Sequence, residues 1–374
     1  MNTNTKRIEW IDAMRGLTMI LVVFGHVEHY GYGYIGNESV LRTIISTFRM
    51  PLFFFISGFI AFRGQTIWDR FQTKTAILKK ARVQLIPTFF FGILFSITVY
   101  ASQRGYSNPL RGIGSFVVDG AKNGYWFTIS LLEMFVCYYL VCHFGYLHSF
   151  KTKKDYSMTV LIVLSLLFFV LSLRFSNENL FLNGHLIGGK ENYFQLALNV
   201  LCLPRTFKYF QFFVFGNIVA HHKEKFFKLV ESRYFFALAL LLWMLAFGAK
   251  YKTDNGEIIV LSSLIVGYCG IIILLSSFYI YQNTFLCDKK IGQMLQYVGK
   301  RTLDIYLIHF FLLPTLPKLG AWLVEYPNIT LEFFVTMLVS IMIVVLCLVI
   351  SNLIRTSAFL EHYLFGVKNS KFTK

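Results

Sequence analysis

The sequence predicts an all-α fold, a polytopic integral membrane bundle of about ten transmembrane helices, and three observations carry that prediction. The chain of 374 residues is 56% hydrophobic and only 15% charged, with a mean hydropathy of +0.57, far more apolar than a globular domain of similar length. Apolar runs of about twenty residues recur from end to end, each long enough to cross a hydrocarbon core about 30 Å thick at about 1.5 Å per residue. The Lys and Arg residues alternate between connections instead of gathering in one block. In lipid every backbone N–H and C=O must be paired within its own segment, so each run is expected to be a helix.

The ten runs cover approximately 10–30, 44–62, 83–102, 125–146, 157–174, 194–220, 234–249, 257–281, 297–317 and 330–354. Pro204, Arg205 and Lys208 interrupt the sixth, which marks part of it as re-entrant or interfacial. An even number of spans puts both termini on one side, and the distribution of basic residues identifies that side. Of the 36 Lys and Arg, 23 fall before the first span, at 63–82, 151–154, 223–233 and 289–301, and after the last span; 12 fall on the opposite segments, and Arg15 lies within the first span. The expected topology is therefore N-in and C-in. The formal charge of +17 orients the protein in its membrane, and a nucleic-acid partner is not needed to explain it. Lys6 and Arg7 precede a span that starts with polar residues and has no small-residue cleavage site, so the first span is expected to be retained.

No connection is long enough for a separate folded domain. Residues 1–374 are expected to form a single membrane-embedded domain, with spans over about 10–355 and a short cytoplasmic tail at 356–374. The outer loop at about 175–193 carries Asn177, Asn179, Asn183, Gly184, Gly188 and Gly189, a turn-rich composition suited to a mobile lid. Six cysteines, Cys137, Cys142, Cys202, Cys269, Cys287 and Cys347, lie mostly in or beside apolar runs with no CxxC spacing, and read as small buried residues.

Ionisable side chains inside spans are costly and by default functional, which directs attention to the first span. Within EWIDAMRGLTMILVVFGHVEH stand Asp12, Arg15, His26, Glu28 and His29. Arg15 and His26 are close to three helical turns apart, on one face and about 16 Å apart along the axis. A guanidinium is a fixed cation with planar donors suited to phosphate, whereas an imidazole can take or give a proton near neutral pH. An anion anchor and a base at two ends of one groove fit a long, thin, phosphorylated donor. Lys79, Lys80 and Arg82, in KKARVQLIP, stand at the cytoplasmic end of the third span, where topology demands cations and where they could extend a phosphate-binding rim. Glu133 is an ionisable residue in mid-span. Ser57 and Gly58 read as small residues for close helix approach. Gly31, Gly33 and Gly36 spell G-x-G-x-x-G but follow a membrane helix, not a strand, and His26 with His29 and Glu28 lacks a further ligand, so neither a dinucleotide site nor a metal site is expected.

The stretch DAMRGLTMILVVFGHV, with Arg15 followed by ten residues and then His26, resembles the opening signature of the acyltransferase-3 family of integral-membrane O-acyltransferases. Three further pieces resemble that family in the expected order: MPLFFFISGFIAF at 50–62, KKARVQLIPTFFF at 79–91 and GKRTLDIYLIHFF at 299–311, while YWFTISLLEMF at 125–135 fits its fourth helix. The resemblance implies transfer of an acyl group, usually acetyl from acetyl-CoA, to a hydroxyl of a surface carbohydrate or its lipid-linked precursor, in the bacterial inner membrane. It makes His26 the catalytic histidine and Arg15 a CoA-side or structural arginine. The family's basic motif has two arginines three apart, where this chain has Lys79 and Arg82; the charge is kept and one bidentate phosphate contact is removed.

A sugar hydroxyl is a weak nucleophile, and a base that removes its proton lowers the barrier to attack on a thioester. His26 in that role needs an orienting partner. Asp12 is about 21 Å away along the same helix and cannot serve; Glu133, Asp304 and His309 are the candidates, and spacing does not choose among them. A secondary transporter or flippase is the alternative reading, since charges inside the membrane also mark transport paths.

Overall fold

The computed structural model describes residues 8–34, 39–62, 68–152, 156–175, 181–182, 185–186 and 193–366. Among them the helices are α1 Glu9–His26, α2 Val40–Ala61, α3 Arg70–Phe95, α4 Leu110–Val118, α5 Trp126–Thr152, α6 Ser157–Arg174, α7 Tyr193–Val200, α8 Leu203–His221, α9 Lys223–Val230, α10 Arg233–Lys252, α11 Gly256–Ile280, α12 Lys290–Lys300, α13 Thr302–Ile308, α14 Pro317–Glu325, α15 Ile329–Thr356 and α16 Ala358–Phe365. π-helical turns at Val27–Gly31 and Ser96–Tyr100 extend α1 and α3. The sole strands among the described residues are β1 Phe181–Leu182 and β2 His185–Leu186, an antiparallel hairpin within the stretch expected to be a lid; the rest of that lid lies outside the described residues.

Among the described residues eight helices are long and apolar enough to cross a membrane: Glu9–Gly31, Val40–Ala61, Arg70–Gln103, Trp126–Ser149, Ser157–Arg174, Arg233–Lys252, Gly256–Ile280 and Ile329–Thr356. They match eight of the ten expected runs. The other two are broken. The run at 194–220 divides into α7 and α8 at Cys202, whose φ of 57° is a left-handed conformation that ends a helix. Pro204 then falls in the first turn of α8, where its missing N–H is no loss. The run at 297–317 begins inside the amphipathic α12, breaks at Arg301, and continues as the short apolar α13 and the 3₁₀ turn His309–Phe311. The expected tail also departs from a simple extension, because Ser357 caps a further helix, α16, through its side chain.

The chain divides into two compact units. The first comprises 1–59 and 219–350. Its inner element is α1, of whose apolar window 78% is buried, against 11% for α10, which leaves most of its apolar window uncovered by the chain. α1 packs on α12 at backbone distance: a Cβ on Gly16 would overlap the Leu295 carbonyl, and one on Gly299 would overlap the Asp12 carbonyl. Small residues permit such approach where lipid supplies no hydrophobic drive between helices. Leu21 and Phe24 of α1 form a core with Ile45 of α2, covered by Phe333 and Met337 of α15. At the opposite end of α1, Trp10 meets Phe227 and Tyr279 edge-on, and those two rings stack 4.5 Å apart.

The second unit comprises 60–218 and 351–374. Here α3 and α5 are joined by a hydrogen bond between buried hydroxyls, Thr88 to Thr128, at 2.7 Å. The turn before α5 is held by Asn123, which donates to Ser96 at 2.8 Å and accepts from Ser115 at 3.0 Å. Lys122, also in that turn, is buried, which pushes its ammonium below the ordinary lysine pKa. α16 folds back on α3: Phe365 stacks on Phe91, and Gly366, at φ 63°, lies against the Arg82 carbonyl.

Replacing Gly16 or Gly299 by alanine forces α1 and α12 apart along a backbone contact. Each substitution is expected to destabilise the detergent-solubilised protein by about 1–3 kcal/mol, read as a lowered thermal unfolding midpoint; an unchanged midpoint would show that this contact does not hold the helices.

Candidate active site

His26 is the last residue of α1, and its position follows from the helix's own geometry. The regular i→i−4 ladder ends there and opens into the wide turn Val27–Gly31, a deviation often found at functional sites. His26 is half-buried, its ring stacked 5.7 Å from Tyr30 and lying 5.1 Å from His309 and 5.0 Å from Phe310. It makes no hydrogen bond among the described residues.

His309 is fully buried. Its Nδ1 lies 3.0 Å from the Ile305 carbonyl, which can only accept, so Nδ1 carries the proton and Nε2 presents a lone pair. That Nε2 is buried and has no hydrogen-bond partner.

Three turns back, Arg15 donates to the Thr302 hydroxyl at 3.1 Å and lies 3.9 Å from Asp12. The segment Thr302–Phe311 therefore runs beside α1 in the same direction, meeting Arg15 at its start and His26 at its end. The face shared by Arg15 and His26 is a real surface of the packed unit, and both groups address one neighbouring segment.

Two cations stand beside His26 that spacing arguments did not single out. Arg49 of α2 rests on the backbone of Gly25, where a Cβ would overlap its guanidinium. One helical repeat earlier, Arg42 donates to the Tyr34 carbonyl at 2.7 Å and reaches His29 Nδ1 at 3.0 Å. Their separation of seven residues, two turns of one face, is a signal readable in the sequence, where both fall among the 12 basic residues of the segments opposite the termini. Glu28 turns away from the histidines and accepts from Ser39 at 2.9 Å. Among the described residues no three His, Cys, Asp or Glu converge on a metal position.

The other candidates divide clearly. Asp304 is buried and lies 3.4 Å from Arg301. Glu133 belongs to the second unit, where Oε2 accepts from Thr206 of α8 at 2.5 Å, just past the helix break at Cys202. Beside it Arg205 stacks over Trp126 at 4.4 Å. Lys79 and Arg82 are exposed on α3, one turn apart, and neither meets a carboxylate among the described residues; Lys80 covers the Phe135 ring at 3.7 Å. Ser57 donates to the Phe53 carbonyl of its own helix. A cavity of about 410 Å³ at the α11–α12 connection is lined by Asn283, Thr284, Lys289, Lys290 and Ile291, and includes neither Arg15 nor His26.

The Gly25 contact and the Thr206 hydrogen bond make separate predictions. Gly25→Ala meets only the far end of a flexible side chain, so it is expected to lower the unfolding midpoint less than Gly16→Ala, which meets backbone; an equal loss would place Arg49 in a rigid seat. Thr206→Val removes the donor to a largely buried carboxylate and is expected to destabilise the protein by about 1–3 kcal/mol in the same measurement.

No curated protein and no solved structure matches the chain. A family model described as an acyltransferase domain, that of acyltransferase-3, matches residues 8–352, from the start of α1 almost to the end of α15. With eight helices fit to cross a membrane and a match over nearly its whole length, this multi-pass membrane protein is an acyltransferase and belongs to the acyltransferase-3 family.

Proposed function

We infer that this acyltransferase moves an acetyl group from acetyl-CoA to a hydroxyl of a cell-surface carbohydrate or its lipid-linked precursor, in a bacterial inner membrane with both termini cytoplasmic. One observation carries the reading: Arg15 and His26 lie on one face of a membrane helix, opposite the two ends of the single segment Thr302–Phe311. His26 is half-buried and free of hydrogen bonds within the described chain, which leaves its imidazole able to take a proton from an incoming hydroxyl. As that proton moves to His26, the oxygen attacks the thioester carbonyl, the ester C–O bond forms and the C–S bond breaks; the proton then passes to the departing thiolate.

Arg15, Lys79 and Arg82 are the proposed contacts to the donor's phosphates. Lys79 and Arg82 are exposed and clear of carboxylates among the described residues, while Arg15 is held in place by Asp12 and Thr302. Glu133 is a second proposed functional group, with one oxygen fixed by Thr206.

A second reading, movement of a lipid-linked or anionic substrate across the membrane, is favoured by the breaks at Cys202 and Arg301, because interrupted helices also build transport sites. Liposomes holding the purified protein separate the two. Modification of the acceptor that depends on acetyl-CoA supports the enzyme, and movement of the acceptor without acetyl-CoA supports the transporter.

His26→Ala is expected to lower acetyl transfer by about 10²–10⁴-fold while the protein still inserts in the membrane, measured as alkali-labile acetate on envelope glycans. Full activity in the correctly inserted variant would end the reading of His26 as base.

A further inference from the structure

A buried acceptor without a donor destabilises the fold, so the Nε2 of His309 calls for an explanation. The carbonyl of Ile305, one turn back, fixes the proton on Nδ1 and leaves Nε2 as a permanent lone pair. Three rings lie against that of His309, with centroids at 4.1 Å for Phe310, 5.1 Å for His26 and 6.0 Å for Tyr306. Phe310 has nothing to donate, and His26 is the nearer of the two that do. His26 in turn has no hydrogen bond of its own within the described chain. The two unmet requirements face each other across a ring contact.

We propose that His309 is the positioning residue of this enzyme, its Nε2 accepting the N–H of His26 and so fixing which imidazole nitrogen meets the acceptor hydroxyl. The inference rests on the reading of His26 as base. During transfer His26 takes the hydroxyl proton on its other nitrogen, and the N–H directed at His309 strengthens as positive charge develops on the ring. The ester C–O bond is made, the thioester C–S bond is broken, the proton leaves with the thiolate, and His309 ends as it began. Of the two partners that spacing left open within the same unit, Asp304 is turned to Arg301, while His309 lies against His26.

The test compares His309→Asn with His309→Gln in proteoliposomes supplied with acetyl-CoA and a glycan extract from the envelope that the wild-type protein acetylates. Asparagine keeps an N–H for the Ile305 carbonyl but places no acceptor at the ε position; glutamine can place its amide oxygen there. His309→Asn is expected to lower kcat by about 100-fold with the KM for acetyl-CoA unchanged, and His309→Gln to recover about tenfold of that loss. Wild-type kcat in His309→Asn would overturn the proposal. So would equal losses in both variants accompanied by equal falls in unfolding midpoint, the mark of a packing role. His26→Ala is run alongside. If it keeps wild-type activity the base itself is misidentified, whereas an inactive His26→Ala beside a fully active His309→Asn removes only the positioning role.

Discussion

A hydrocarbon core offers a polar side chain no solvent, so each one placed there must be held by another group of the protein. That requirement organises both units. Arg15 is held by Asp12 and Thr302, Glu133 by Thr206, and Thr88 by Thr128. Several buried polar atoms, among them Asn217 Oδ1, Ser276 Oγ and His309 Nε2, have no hydrogen-bond partner among the described residues. His309 is the one of these three whose ring lies against His26, where α1 gives up its regular hydrogen-bond ladder.

Precision at that point depends on how α1 is seated. Helices in lipid associate through close packing instead of through exclusion of water, and the paired glycines at 16 and 299 bring the α1 and α12 backbones into contact. α13 follows α12 directly, so the contact that seats α12 against α1 also aligns Thr302 with Arg15 and His309 with His26. α10, with little of its apolar window buried, has no such demand on its sequence and reads simply as an apolar rod.

Eight of the ten spans were legible because an uninterrupted apolar run of spanning length has few other physical explanations. The run at 194–220 carried its own warning in Pro204, Arg205 and Lys208, whereas the run at 297–317 hid its break, because a hydropathy window averages over Lys300 and Arg301. At the site, the spacing of Arg15 and His26 follows from helical period alone and was visible. The identity of the group beside His26 was not, since a contact between residues 283 positions apart leaves no trace in local pattern. Glu133 illustrates a further case: its charge in mid-span marked it as a candidate, but Thr206, beyond a helix break, could not be foreseen as its donor.

The wide turn Val27–Gly31 holds one residue more than the ladder requires, much as a dislocation adds a half-plane to a crystal. Such a fault has two flanks. A shift of its boundary by one residue toward the N-terminus would rotate His26 by about 100° about the helix axis, swinging the imidazole off the Thr302–Phe311 surface while leaving Arg15 and the glycine contact untouched. The first helix thus places this misfit of register at the few residues beside His26.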